Sequence, residues 1–286
     1  MTHLFGMVGL MLTHAYIGLD SSSSVGTPGP DVRVPTFSPL HIVASAYGSL
    51  GSYSTDTRSR SASTYFTLSN SWQDYYTVGF ATLWLERDDA GGKYYSQQLV
   101  SARASWLFDY RTNLSVHYGY LHEGEIASFS APSTFHFVGG GVHYWFSPTA
   151  VAGTSATLSL SESKLQSSTF RASFSFQPVE GFWVTSTATV GEAQWAPRLF
   201  VFRQSLSVSL GGESSLQASA DIGRRVFHFD DELLVAYNQR EIQTGYFLLK
   251  GTVKLFPHFF VVPSFEYDAF DSYNSKYGSL GLRVVF

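Results

Sequence analysis

The side chains best suited to chemistry are few and poorly grouped. His117 lies two residues from Ser115 in Leu114-Ser115-Val116-His117-Tyr118, a spacing that puts hydroxyl and imidazole on one face of a strand. Such a pair could begin a hydrolase site, with the imidazole taking the proton of an attacking hydroxyl, but a third group must orient the ring. No acid or amide at a recognisable spacing supplies one, so His117 is expected to be a hydrogen-bonding residue of a wall. Asp88-Asp89 could seed an aspartyl-protease rim, but adjacent acids in a polar connection are ordinarily solvated. Asp230-Asp231 reads as a turn at the opposite end. His136 and His143 are seven apart and fall on opposite faces of a strand, which rules out a shared metal. Gly139-Gly140-Gly141 has no helix after it and is no phosphate loop; it suits curvature or close approach. There is no cysteine, so disulfides, thiolate metal sites and cysteine nucleophiles are excluded. The expectation is no enzyme, no cofactor and no metal.

A second chemistry is carried by cations. Arg103, Arg171, Arg203, Lys250, Lys254 and Arg283 share the parity of the serines and threonines around them, and so do the acids Asp221 and Glu266. If these faces line a lumen, the balance is cationic although the chain carries a net charge of −4. Cationic side chains in a pore raise the local concentration of anions. The alternative is that the arginines bond to the acids across the lumen and stiffen the wall. Trp145 and Trp183 fall on the same face near one end, where they could stack on sugar rings or fill the narrow part of a barrel. The acidic net charge gives a nucleic-acid partner no support.

The elements that must position these residues are strands. Phe170-Arg171-Ala172-Ser173-Phe174-Ser175-Phe176 alternates without a break, and Val100 to Trp106 and Leu206 to Leu210 do the same. One face is Phe, Leu, Val, Ala and Trp; the other is Ser, Thr, Gly, Arg and His. Several strands end on an aromatic before a short polar or proline turn, at Phe108, Phe146, Phe176 and Phe256, and the last strand ends on Phe286. These five aromatics are expected at a membrane interface. Connections at the other end read as longer and more polar: Arg87 to Gly92, Glu123 to Ser133, Gly191 to Arg198 and Asp271 to Ser275. None exceeds about a dozen residues, so no long inward-folded loop is expected.

Charged residues make up only 14% of the chain and aromatics 16%, whereas soluble domains carry about a quarter of their residues as charge. A soluble sandwich with this alternation would expose Lys and Glu on its polar face. Lipid against the apolar face accounts for both features, and closing the sheet removes the edges that lipid would not tolerate. The fold class is therefore all-β: a transmembrane antiparallel β-barrel, with sixteen strands the expected count and fourteen the alternative. The two short spans 223–229 and 232–239 are counted among the sixteen. Residues 1–15 read as a possible signal peptide and 16–37 as a flexible linker rich in Ser, Gly and Pro. Residues 38–286 form the barrel.

The alternating final strand closing on Phe286 resembles the terminal signature of Gram-negative outer-membrane β-barrels, the porin-like class. The resemblance implies an integral outer-membrane location and a last strand read by the barrel assembly machinery. A coarser architectural likeness is to exopolysaccharide-export porins, without their tetratricopeptide repeats. The function expected is a pore or export conduit for a small or polymeric solute, an anion in one of the two readings of the inner cations given above, with a periplasmic or envelope export partner. The alternative is a structural anchor or subunit of an envelope-spanning assembly that conducts little.

Overall fold

Period-two alternation with β-branched and aromatic residues on one face builds strands, and the described residues are almost all strand. The computed structural model describes residues 40–54, 58–70, 76–89, 92–109, 111–123, 133–162, 164–194, 196–211, 213–225, 228–230, 235–237, 242–271 and 273–286. The sequence-predicted signal peptide (1–15) and linker (16–37) lie outside the described residues. The elements are β1 (Leu40–Tyr53), β2 (Arg58–Asn70), β3 (Tyr76–Asp89), β4 (Gly92–Leu107), β5 (Thr112–Glu123), β6 (Ser133–Ser147), β7 (Ala150–Ser161), β8 (Lys164–Val179), β9 (Phe182–Ala193), β10 (Ala196–Gly211), β11 (Ser214–Arg225), β12 (His228–Asp230), β13 (Val235–Tyr237), β14 (Gln243–Phe256), β15 (Phe259–Phe270) and β16 (Asn274–Val285).

Among the described residues, fourteen of these strands form one closed antiparallel barrel, each paired to its neighbour in sequence except where β11 pairs with β14 and β1 with β16. The seam between β1 and β16 runs in register from Val43–Val285 to Tyr53–Ser275. It is extended by the Ile42 and Phe286 amides, each donating to the other residue's carbonyl at 3.1 and 2.8 Å. The remaining two strands, β12 and β13, pair only with each other. The expected count of sixteen is thus corrected to fourteen in the barrel. The physical reason is Gly223. The sequence reading ended one span at 221 and opened the next at Gly223, but this glycine sits inside β11 with φ +133°, in a bulge between Ile222 and Arg225. A methyl there would overlap the backbone of Phe200 and Val201, so β10 and β11 approach as only glycine allows.

The two ends of the barrel differ. At one end the connections 108–111, 148–149, 180–181, 212–213 and 257–258 are tight turns. Asp109 organises the first of them: its carboxylate accepts from the amides of Arg111 and Thr112, both at 2.7 Å, and from the Thr112 hydroxyl at 3.0 Å. At the other end, hereafter the loop end, the connections expected to be long are mostly short: β3 stops at Asp89 and β4 starts at Gly92, β9 and β10 are separated by 194–195, and β15 and β16 by 271–273. The long ones are 124–132 and 226–242. The second exceeds the dozen residues that the sequence led us to expect as a maximum. It also moves Asp230 from the turn end, where the sequence reading had Asp230-Asp231, to the loop end.

The outer face carries the large apolar side chains. Phe170, Phe174, Val190, Phe200, Phe202, Leu249, Leu280 and Leu282 are among those left exposed. An apolar exterior of this extent over the described side chains exceeds what a water-exposed monomer presents. Hydrocarbon is the solvent in which it carries no penalty. Phe108, Phe146, Phe176, Phe256 and Phe286 are all exposed at the turn end.

Candidate functional site

The inner wall is built by the opposite parity of the same strands. Cross-strand register sets Asn113, His143, Gly153, Ser173, Thr187, Arg203, Asp221, Tyr246, Asp268, Ser275 and Tyr53 in one row around the barrel. Arg203 is where the row changes chemistry.

On the β5–β9 side the wall is hydroxyl and glycine. Ser175 and Thr185 share a hydrogen bond of 2.8 Å. His117 bonds through Nε2 to Thr157 Oγ1 at 3.1 Å, while Ser115 lies 3.5 Å from the Gly141 carbonyl. Serine and histidine are therefore each tied to a different neighbour and do not form a nucleophile–base pair. The imidazole of His117 lies over Gly139, that of His143 over Gly153, and the Tyr47 ring over Gly281; a methyl on any of the three glycines would overlap the ring. Each is a direct cross-strand pair, so glycine on one strand lets a ring lie flat along the wall. His136 faces outward and bonds to the Tyr118 hydroxyl at 2.8 Å, away from His143. Among the described residues no group of three His, Asp or Glu could hold a metal.

On the β10–β16 side the wall is charged and largely buried. Arg203 clasps Asp221 through Nε and Nη2 at 2.6 and 2.9 Å, the fork geometry that makes arginine–carboxylate pairs strong. Arg225 Nη1 reaches the same carboxylate at 3.1 Å, and its Nε donates to Gln243 Oε1. Gln243 in turn donates to Asp268, which also accepts from Ser275 at 3.1 Å. Both guanidiniums lie over the Tyr246 ring, 5.2 and 5.3 Å from its centre. Tyr277 donates to the Tyr53 hydroxyl at 2.6 Å. Glu266 and Asp268 are 0% exposed.

The predicted inner residues fall as follows. Arg103 on β4 stands opposite His117, and Arg171 on β8 opposite Ser155 and Thr189; both are half-buried. Trp145 is half-buried and Trp183 buried, both near the turn end. Lys250 is buried on β14. Lys254 pairs with Glu213 in the turn at 2.7 Å, and Phe260 lies between Lys254 and Arg283, 5.9 and 5.4 Å from its ring centre. Sequence reasoning missed Arg225 and Asp268. Asp268 shares the parity of Glu266 two residues before it, a usable signal. Arg225 was missed because the sequence reading placed it in the separate short span 223–229, whereas it ends β11.

No known family's sequence pattern matches the chain, and no curated protein matches it in sequence. Solved structures match its fold. A deltaS2 mutant of the TodX monoaromatic hydrocarbon channel aligns with TM-score 0.54 and 7% identity over 86% of this chain and 88% of its own. The CymD monoaromatic hydrocarbon channel aligns with TM-score 0.54 and 7% identity over 87% and 88%. At that identity the likeness is one of fold alone, an antiparallel β-barrel.

Proposed function

We propose that this protein is an integral outer-membrane channel that passes small solutes through its lumen and favours anions. Support for the location comes from the outer face, where exposed aliphatic and aromatic side chains wrap the barrel and phenylalanines gather at the turn end. Support for the selectivity comes from the unequal accessibility of inner charges, the single observation that carries this reading. Asp221, Glu266 and Asp268 are buried, and Asp221 and Asp268 are bonded into the network. Arg103 and Arg171 stand half-buried on the hydroxyl side. An ion moving along the inner face of β4–β9 would meet Arg103, Arg171 and neutral hydroxyls, while Asp221, Glu266 and Asp268 are buried in the opposite wall. No catalytic role is assigned to the chain. The lipid bilayer and the barrel assembly machinery are its proposed partners. That the TodX and CymD matches are monoaromatic hydrocarbon channels adds support for small solutes over a polymer.

The test is the reversal potential in planar bilayers under a salt gradient. The expected result is a shift to the anion side that shrinks by at least half in an Arg103→Ala, Arg171→Ala double variant. Cation selectivity in the wild-type barrel would overturn the anion preference. Lack of conductance in every form would instead favour a structural anchor.

A further inference from the structure

The connection 226–242 leaves β11 and returns to β14 at the loop end, and within it His228 pairs with Tyr237 and Asp230 with Val235. The Cα atoms of β13 come within 8 Å of those of β4 and β5. Around the ring of fourteen, β5 stands six strands from β11, and β4 stands six from β14, where seven would be diametrically opposite. A ribbon tethered on one wall therefore touches the far wall. The lengths agree. Fourteen strands at about 4.8 Å spacing and a tilt of about 40° enclose a cylinder roughly 28 Å across at the backbone. Val235 to Tyr237 precede Gln243 by six to eight residues, a reach of roughly 20 to 26 Å at about 3.3 Å per residue.

A second observation concerns what the ribbon meets. Near the loop end the inner face of β4–β6 turns from hydroxyl to hydrocarbon. Leu99, Leu121 and Phe135 form one cross-strand row, and Phe137 follows two residues along β6. These four are 1%, 0%, 5% and 1% exposed. An apolar patch facing a watery lumen would cost about 25 cal/mol for each Å² left wet. Its burial shows that it is covered. Among the described residues, β13 is the element outside the barrel wall that lies against β4 and β5. The dependence is mutual, because an isolated two-stranded hairpin is at best marginally stable.

We propose that the β12–β13 ribbon is a strap across the loop-end mouth, latched on the patch of Leu99, Leu121, Phe135 and Phe137, and that it sets the resting conductance of the pore. The conductance part rests on the channel reading above. Release of the strap wets four apolar side chains, so the latched state is the resting one.

The chain has no cysteine, so an introduced pair reports alone. In the refolded full chain, Ala236→Cys combined with Leu121→Cys, or with Leu99→Cys, is treated with a short thiol-to-thiol crosslinker. The expected result is an intramolecular crosslink in at least one pair and none with Ser175→Cys on β8. Failure of both pairs overturns the strap whether or not the barrel conducts. In planar bilayers, replacing residues 228–237 by a Gly-Ser linker of equal length is expected to raise single-channel conductance at least threefold, and Leu121→Ser to raise it in part. Equal conductance with and without the strap overturns its control of flow. If neither form conducts, the channel reading falls and takes the conductance claim with it, while crosslinking still decides whether the ribbon crosses the mouth. Heat-modifiable gel mobility verifies folding, and the crosslinking pairs stand in for Leu121→Ser if that variant does not fold.

Discussion

The same cross-strand row has two characters on the two sides of Arg203. Toward β5 it runs through Thr187, Ser173, Gly153 and His143, small or flat groups that bond locally and leave the wall half open. Toward β1 it runs through Asp221, Tyr246, Asp268 and Ser275, all of them buried. The difference follows from desolvation. A hydroxyl bonded to a neighbouring hydroxyl has little to lose if its partner goes, because water can replace it. A buried guanidinium or carboxylate must be matched in full, and each match recruits another. The charged side is thus a braced wall, and the hydroxyl side is the surface past which a solute can move.

The largest expected effect breaks the braced side. Asp221→Ala strips the shared acceptor of Arg203 and Arg225 and is expected to destabilise the folded barrel by about 3 kcal/mol. That is the low end for a broken buried pair, since Arg203 keeps 22% of its side chain in contact with solvent. Ser175→Ala on the other side loses one hydroxyl bond and should cost about 1 kcal/mol or less. Urea titration of vesicle-refolded protein measures both, and equal losses would erase the distinction between the walls.

An intermediate effect is expected at Gly139. An added methyl meets both the Ala156 carbonyl and the His117 ring, and overpacking of this kind costs about 1 to 3 kcal/mol. Gly139→Ala should therefore exceed Ser175→Ala in the same titration. If Gly139→Ala proves silent, the flat-lying imidazole is not a packing constraint.

The smallest effect lies in the β4–β5 turn, outside both walls. The Arg111 amide, with the Thr112 hydroxyl and amide and the Arg111 charge, holds the Asp109 carboxyl below its ordinary value of 3.8. A carboxylate favoured by the folded state contributes stability above its unfolded pKa, and this is lost as pH falls through the lower folded value. Wild type should lose stability below about pH 4 more steeply than Asp109→Asn. Parallel acid titrations of the two would disprove the role of this turn.

How much of this was legible in the sequence depends on range. The side of the wall on which Arg103, Arg171 or Glu266 stands is a local property, because side chains alternate with a period of two. The barrel class and the turn-end phenylalanines were legible for the same reason. Register and partner choice are not local. Nothing near Gly223 distinguishes a turn from a bulge; the answer depends on β10, whose carbonyl would strike any side chain placed there. Likewise 228–237 alternates acceptably as a wall strand pair, and its exclusion from the barrel reflects the direct pairing of β11 with β14. One signal was present and overlooked: Leu99, Leu121, Phe135 and Phe137 carry hydrocarbon on the parity that further along β4–β6 bears serine, glycine, Arg103 and histidine.

The Ile42–Phe286 seam has a kinetic consequence. Its two strands come from opposite extremes of the barrel sequence, so their encounter closes the longest loop that this topology contains. Until that encounter the growing sheet is an open ribbon with a bare edge on each side, and either edge can zip onto a neighbouring chain. Assembly of such a sheet is a race between self-closure and annexation, and the winner is decided in the last step.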